Sequence, residues 1–141
     1  MVAYFDTSAI AKLYIQEAES AQVQALWNEC AVIAVNVIGY AETHAAIRRS
    51  HLVGRLAEDE YVRVRERFTE EWSEYAQIMV TPQLAVRAAA FVHAFNLSGF
   101  DAVHLAAAEE LAGLTAEPLV FASFDRRLSD AAKTLQLPTL F

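Results

Sequence analysis

Four acidic residues stand apart from the surface charge of this chain: Asp6, Glu42, Asp101 and Asp125. Asp6 directly follows the apolar run Val2-Ala-Tyr-Phe5, and Asp125 closes Leu119-Val-Phe-Ala-Ser-Phe-Asp125. Carboxyl ends of parallel strands are where loops converge on ligands. Either aspartate could instead cap the helix that follows, a role that stabilises a helix start by ~0.3 to 1 kcal/mol. Glu42 and Asp101 are different, because each falls in an apolar helical stripe: Ile38, Ala45 and Ala46 flank the first, while Leu105, Ala108 and Ala112 continue the second. An ionised carboxylate in such surroundings has to be paired, protonated or placed on a metal. Lys12 or Arg126, brought in by the fold, would be the pairing alternative. Two carboxylates about 4 Å apart repel by ~4 kcal/mol at an effective dielectric near 20, so a cluster of four needs positive charge. Hard oxygen donors suit Mg²⁺ or Mn²⁺, and the lack of paired His or Cys ligands argues against zinc. An ion held this way acidifies water and stabilises a leaving oxygen, which is the chemistry of phosphodiester hydrolysis.

The elements that must position these acids can be read from the pattern. Strand-length apolar runs occupy residues 2–5, 31–35, 77–80 and 119–122. Helical stretches separate them: Val23, Leu26 and Trp27 fall on one face, Asn36 is placed to cap a helix reaching about Arg49, Thr81-Pro82 reads as a cap with proline in the first turn, and Gly113 is placed to end the helix that starts near Gly99. The order is strand, two helices, strand, two helices, strand, two helices, strand, helix, with an apolar tail over 138–141. That alternation predicts an α/β fold with a mainly parallel sheet covered on both faces.

At 141 residues and 55% hydrophobic content, with no linker or low-complexity tract, a single domain over 1–141 is expected. The most apolar run, 30–41, is interrupted by Asn36 and falls short of the ~20 residues that span a membrane. The first residues lack the charged region and cleavage site of an export signal, so a cytoplasmic protein is expected. Cys30, the only cysteine, excludes an internal disulfide and reads as a small buried hydrophobe. A net charge of −7 opposes nucleic-acid binding by a general positive field. The objection weakens if several acids belong to a metal site, and Arg48, Arg49, Arg55, Arg63, Arg65 and Arg67 form a basic stretch that is either a solvated helix face or a substrate-facing patch.

Taken in order, these residues resemble the PIN domain family, and within it the VapC-type toxins of toxin–antitoxin pairs. Phe5-Asp-Thr-Ser-Ala-Ile10 is similar to the family's opening strand and first acid, with Ser8 at its hydroxyl position. Gly39-Tyr-Ala-Glu42 resembles the second acidic segment, Leu97-Ser-Gly-Phe-Asp-Ala-Val-His-Leu-Ala106 the third, and Ser123-Phe-Asp-Arg-Arg-Leu128 the closing hydroxyl-x-Asp motif. The resemblance implies a three-layer α/β/α sandwich, one or two Mg²⁺ or Mn²⁺ ions on Asp6, Glu42, Asp101 and Asp125, auxiliary hydroxyls at Ser8 and Ser123, and RNA cleavage leaving a 5′-phosphate. It also implies a homodimer and an antitoxin partner. Ser98 stands where many members carry Arg, which leaves Lys12, Arg126 or the basic stretch to contact substrate, and Ser123 replaces the commoner Thr.

Other chemistries fit less well. Asp6-Thr7-Ser8 has serine where an aspartic protease needs its turn glycine, and the chain is rich in helix patterns. A phosphoacceptor switch needs paired acids after the first strand, and Asp101-x-x-His104 supplies one half of a di-iron site. His104 reads as a core or supporting residue, His44, His51 and His93 take no role, Trp27 and Trp72 belong to the core, and Phe100 and Phe124 fall beside the site. The rival class is a catalytically silent PIN-fold module that binds a partner; a free-standing RNA-processing nuclease is the other alternative.

Overall fold

Val2–Phe5 forms β1, the strand on which the rest is assembled. In the computed structural model, which describes residues 1–140, the chain continues as α1 (Thr7–Tyr14), α2 (Ser20–Glu29), β2 (Val32–Asn36), α3 (Ile38–Leu52), α4 (Glu58–Glu71), a 3₁₀ turn (Trp72–Glu74), β3 (Ala76–Ile78), α5 (Pro82–Phe95), α6 (Gly99–Leu114), β4 (Leu119–Ala122) and α7 (Arg126–Thr134). The expected order of elements is the observed one. Phe141, the end of the apolar tail, lies outside the described residues; Thr139 in that tail makes a single parallel bridge to Phe121.

The sheet order is β3-β2-β1-β4 and every pairing is parallel, with Val2 opposite both Val32 and Leu119. Successive side chains of a strand point to opposite faces. Val2 and Tyr4 therefore enter one core with Leu84, Phe91, Leu105 and Leu128 from α5, α6 and α7. Ala3 and Phe5 enter another with Ile10, Val23, Ile47 and Phe68 from α1 to α4. Coverage on both faces explains why the central strands read as unbroken apolar runs rather than alternating ones. The result is the three-layer α/β/α sandwich. Among the described residues no helix is long and apolar enough to cross a membrane.

Helix starts follow the polar residues picked from the sequence, with local shifts. Thr81 Oγ1 accepts from Leu84 N–H at 3.1 Å with Pro82 in the first turn. Asn36 Oδ1 accepts from Ile38 N–H at 3.0 Å, but Asn36 ends β2 and Val37 takes the cap position, so the side chain caps from one residue further out. Gly113 does not end its helix: α6 continues through Leu114, and extended Thr115 stops it. The left-handed helix end expected at a glycine occurs instead at Asn96, which closes α5 with φ of 53°. Strands β2 and β3 begin one residue later and earlier than the apolar runs suggested. Cys30 is half-buried rather than core. Trp27 and Trp72 are partly buried and pack on the edge of the core that Phe68 anchors.

Candidate active site

The carboxyl ends of β1 and β4 lie side by side, Phe5 opposite Ala122, which sets Asp6 next to the Ser123–Asp125 segment. Asp6 is 3% exposed and both of its oxygens are engaged. Oδ1 accepts from Ser8 Oγ–H at 2.7 Å and from Ala9 N–H at 3.0 Å; Oδ2 accepts from Ser123 Oγ–H at 2.6 Å. The two hydroxyls also lock the loops together. Ser8 Oγ accepts from Phe124 N–H at 2.8 Å, and Ser123 Oγ accepts from Asp125 N–H at 3.1 Å. Burial pushes the Asp6 carboxyl above its ordinary range, against the opposing pull of His104 and these hydrogen bonds. Asp6 caps α1 and Asp125 caps α7 through Leu128 N–H at 2.9 Å, so the helix-cap alternative holds for both alongside their position at the site.

Glu42 projects from α3 and meets a chain of buried groups that starts under the sheet. Its Oε1 accepts from Thr7 Oγ1–H at 2.9 Å and from His104 Nε2 at 2.8 Å. On the far side of the imidazole, Nδ1 meets the Tyr4 hydroxyl at 2.8 Å. A carboxylate oxygen requires a proton on Nε2. Burial and the charges of Asp6 and Glu42 raise the Tyr4 hydroxyl above its ordinary value, and with the Nε2 proton given to Glu42, a Tyr4 hydroxyl that donates to Nδ1 satisfies both ring nitrogens. Burial alone would raise the Glu42 carboxyl, yet the His104 contact, with help from Thr7 and Arg49, holds it below its ordinary range. The partner of Glu42 is thus His104, neither Lys12 nor Arg126. The signal was Asp101-x-x-His104, one helical turn that sets both side chains on one face of α6.

Asp101 is half-buried rather than buried as its stripe suggested. Burial, then the negative charges of Asp125 and Asp6, push its carboxyl up. Ser98, at the position of the expected arginine, is the α6 cap, its Oγ accepting from Asp101 N–H at 3.2 Å. Lys12 is committed elsewhere, to Glu17 at 2.6 Å and Glu19 at 2.9 Å, with its ammonium 4.7 Å from the Phe124 ring centroid. Arg126 is exposed and borders a neighbouring depression.

Asp6, Glu42, Asp101 and Asp125 line a single cavity of about 400 Å³, together with Ser8, Lys12, Arg49 and Phe124. Phe124 is beside the acids as expected; Phe100 is not, being 60% exposed over an apolar depression between α5 and α6. His44 and His51 pack on aromatic rings of the α3–α4 hairpin. Among the described residues no three Asp, Glu, His or Cys side chains converge closely enough, as they stand, to ligate one ion. The donor chemistry nevertheless fits a hard divalent cation. It is all carboxylate and hydroxyl oxygen, and no ion pair offsets Asp6, Asp101 or Asp125 among the described residues.

A family model for the PIN domain matches residues 3–134. The chain is 32% identical over 130 residues to ribonuclease VapC45 of Mycobacterium tuberculosis, covering 92% of this chain and 88% of that one. Among solved structures it is similar to VapC20 of M. tuberculosis, a sarcin-ricin loop cleaving toxin, with a TM-score of 0.68 at 19% identity over 92% of this chain and 94% of that one. It is also similar to a chain of a toxin–antitoxin complex from Klebsiella pneumoniae, with a TM-score of 0.64 at 21% identity over 87% and 86% of the two chains. The family model spans nearly the whole chain, and the relative at 32% identity covers 92% of it: this chain belongs to the PIN domain family.

Proposed function

We propose that this protein is a ribonuclease that hydrolyses RNA phosphodiester bonds at a Mg²⁺ or Mn²⁺ centre, and that it is the toxin of a toxin–antitoxin pair. The observation that carries this reading is that Asp6, Glu42, Asp101 and Asp125 line one cavity and that, among the described residues, none of them joins a lysine or arginine ion pair. Those four carboxylates would hold the ion. When bound, it supplies positive charge to the phosphodiester oxygens and acidifies water.

The chain's own groups do the positioning. Ser8 and Ser123 hold both oxygens of Asp6 in place, and Thr7 and His104 hold Glu42 Oε1. Asp101 is half-buried and Asp125 is exposed, the latter with Oδ1 held by Leu128 N–H as the α7 cap. An antitoxin partner is supported by likeness to a chain of a toxin–antitoxin complex, and RNA by relatives named ribonuclease VapC. In this reading the chain is one nuclease domain and acts in the cytoplasm as a homodimer.

Cleavage of RNA by the wild type and by Asp6→Asn, each with Mn²⁺ and with EDTA, tests the proposal. Activity is expected from the wild type with metal alone. Cutting that survives both chelation and the substitution would refute the metal mechanism, and a monomer in light scattering would refute the dimer.

A further inference from the structure

The acid cavity does not end at the acids. A second depression of about 210 Å³ continues from it between α1 and α3, and the two share Ala11, Glu17, Ala46 and Arg49 as walls. Ala11 and Ala46, both small, line it from α1 and α3. It leads away past Arg49 to Arg55.

The six arginines of the basic stretch divide sharply by environment. Arg63 pairs with Asp59 at 3.2 Å and Arg67 with Glu71 at 2.9 Å on α4. Arg48 lies over the Tyr61 ring at 5.5 Å, and Arg65 lines with it a separate depression between α3 and α4. Arg55 reaches Glu17 at 3.2 Å, where Lys12 competes for the same carboxylate. Arg49 alone of the six both lines the acid cavity and joins no ion pair among the described residues. It stands seven residues after Glu42, two turns along the same face of α3.

An unpaired guanidinium at the junction of an acidic centre and a narrow groove answers a specific need. In the ribonuclease reading the acids would hold an ion at one phosphodiester, and the next phosphate along the strand has to be held beside a negatively charged wall. We propose that the α1–α3 groove carries the single RNA strand away from the reacting phosphodiester, and that Arg49 binds the adjacent phosphate. This rests on the ribonuclease reading above. Arg49 is a binding residue that does not touch the reacting atoms.

The test is binding of a short, fluorescently labelled single-stranded RNA of mixed sequence to full-length protein in EDTA across a salt series, with cleavage kinetics in Mn²⁺. Loss of one phosphate contact on a single strand removes about 0.7 from the salt slope, which weakens binding roughly fourfold near 0.15 M salt. Arg49→Gln is expected to show that change, with KM raised and kcat retained, because the contact is made equally before and during reaction. Arg49→Lys should recover most of it. Arg63→Gln, on the outer face of α4, should match the wild type. An Arg49→Gln protein with unchanged affinity and slope overturns this assignment alone, whereas a wild type that neither binds nor cuts RNA overturns the nuclease reading with it. A polyglutamate peptide that binds as tightly as RNA, and loses the same factor on Arg49→Gln, would overturn the strand path in favour of an acidic peptide.

Discussion

Tyr4, His104 and Glu42 form a continuous hydrogen-bonded line whose energetics can be worked out link by link. The Tyr4 side chain is fully buried and His104 is 1% exposed, so neither can turn to water for a replacement partner. Replacing His104 with Leu strands the Tyr4 hydroxyl, at a cost of ~1 to 3 kcal/mol, and deletes a charge-assisted hydrogen bond to Glu42 worth ~1.5 to 3 kcal/mol. Glu42 keeps Thr7 and is 25% exposed, which recovers part of the second term. A net loss of about 3 kcal/mol is expected, corresponding to a fall in Tm on the order of 10 °C for a domain this size. Tyr4→Phe alone leaves His104 Nδ1 buried without a donor and should cost ~1 to 2 kcal/mol. In the His104→Leu background the same Tyr4→Phe change removes the stranded hydroxyl and should be neutral or stabilising, since both partners are then apolar. Urea unfolding of the four proteins closes a double-mutant cycle with an expected coupling of ~1 to 3 kcal/mol. Additivity within ~0.5 kcal/mol would show that the three side chains do not act as a unit, and the assignment of Tyr4 as donor to His104 would fall.

Ser123→Ala removes the donor to Asp6 Oδ2 and the acceptor for Asp125 N–H together; calorimetry should show a loss of ~1 to 3 kcal/mol, and cleavage should fall with Asp6 less firmly held. Asp101→Asn relieves repulsion from Asp125 and Asp6, so in EDTA the variant should unfold at an equal or higher temperature than wild type, while titration calorimetry should show weaker Mn²⁺ binding; unchanged affinity would remove Asp101 from the ion site. Tyr4, Tyr14 and Tyr75 all have hydroxyls raised above the ordinary value of 10.0 by burial. A raised folded-state value means that their contribution is complete below that pH and is lost as pH rises through the folded-state values, by ~1.4 kcal/mol per tyrosine per unit. Urea titrations on either side of this pH, with tyrosinate absorbance as a second probe, should show stability falling only on the alkaline side; a flat profile would contradict the burial of these hydroxyls.

Local pattern carried most of the architecture. The runs at 2–5 and 119–122 became β1 and β4 without adjustment, because burial on both faces leaves one reading for a short apolar stretch. Gly113 misled because glycine is tolerated inside a helix that packing already holds, and α6 buries Ala102 and residues 104–108 along its length. The acids were legible from their placement; their partners were not. Glu42 and His104 are 62 residues apart, and nothing along the chain between them encodes that their helices meet. Lys12, one of two candidate partners under the pairing alternative, is taken instead by Glu17 and Glu19, close in sequence. Burial of Asp101 was overstated because the stripe that includes Leu105 begins at the first turn of α6, where the helix end still faces the cavity mouth.

The bond from Ser123 to Asp6 joins residues 117 positions apart. Ribosomes deliver the chain from its N-terminus at ~5 to 20 residues per second, so Asp6 and Glu42 emerge well before Asp101 and Asp125. Without β4, a nascent chain lacks the strand that pairs with one flank of β1 and the residue that holds Asp6 Oδ2. The four acids therefore meet only after β4 and the Ser123–Asp125 segment have emerged. A product cut short before β4 would lack the strand and the serine that hold Asp6 against Asp125, so the order of the strands also sets when the cavity can assemble.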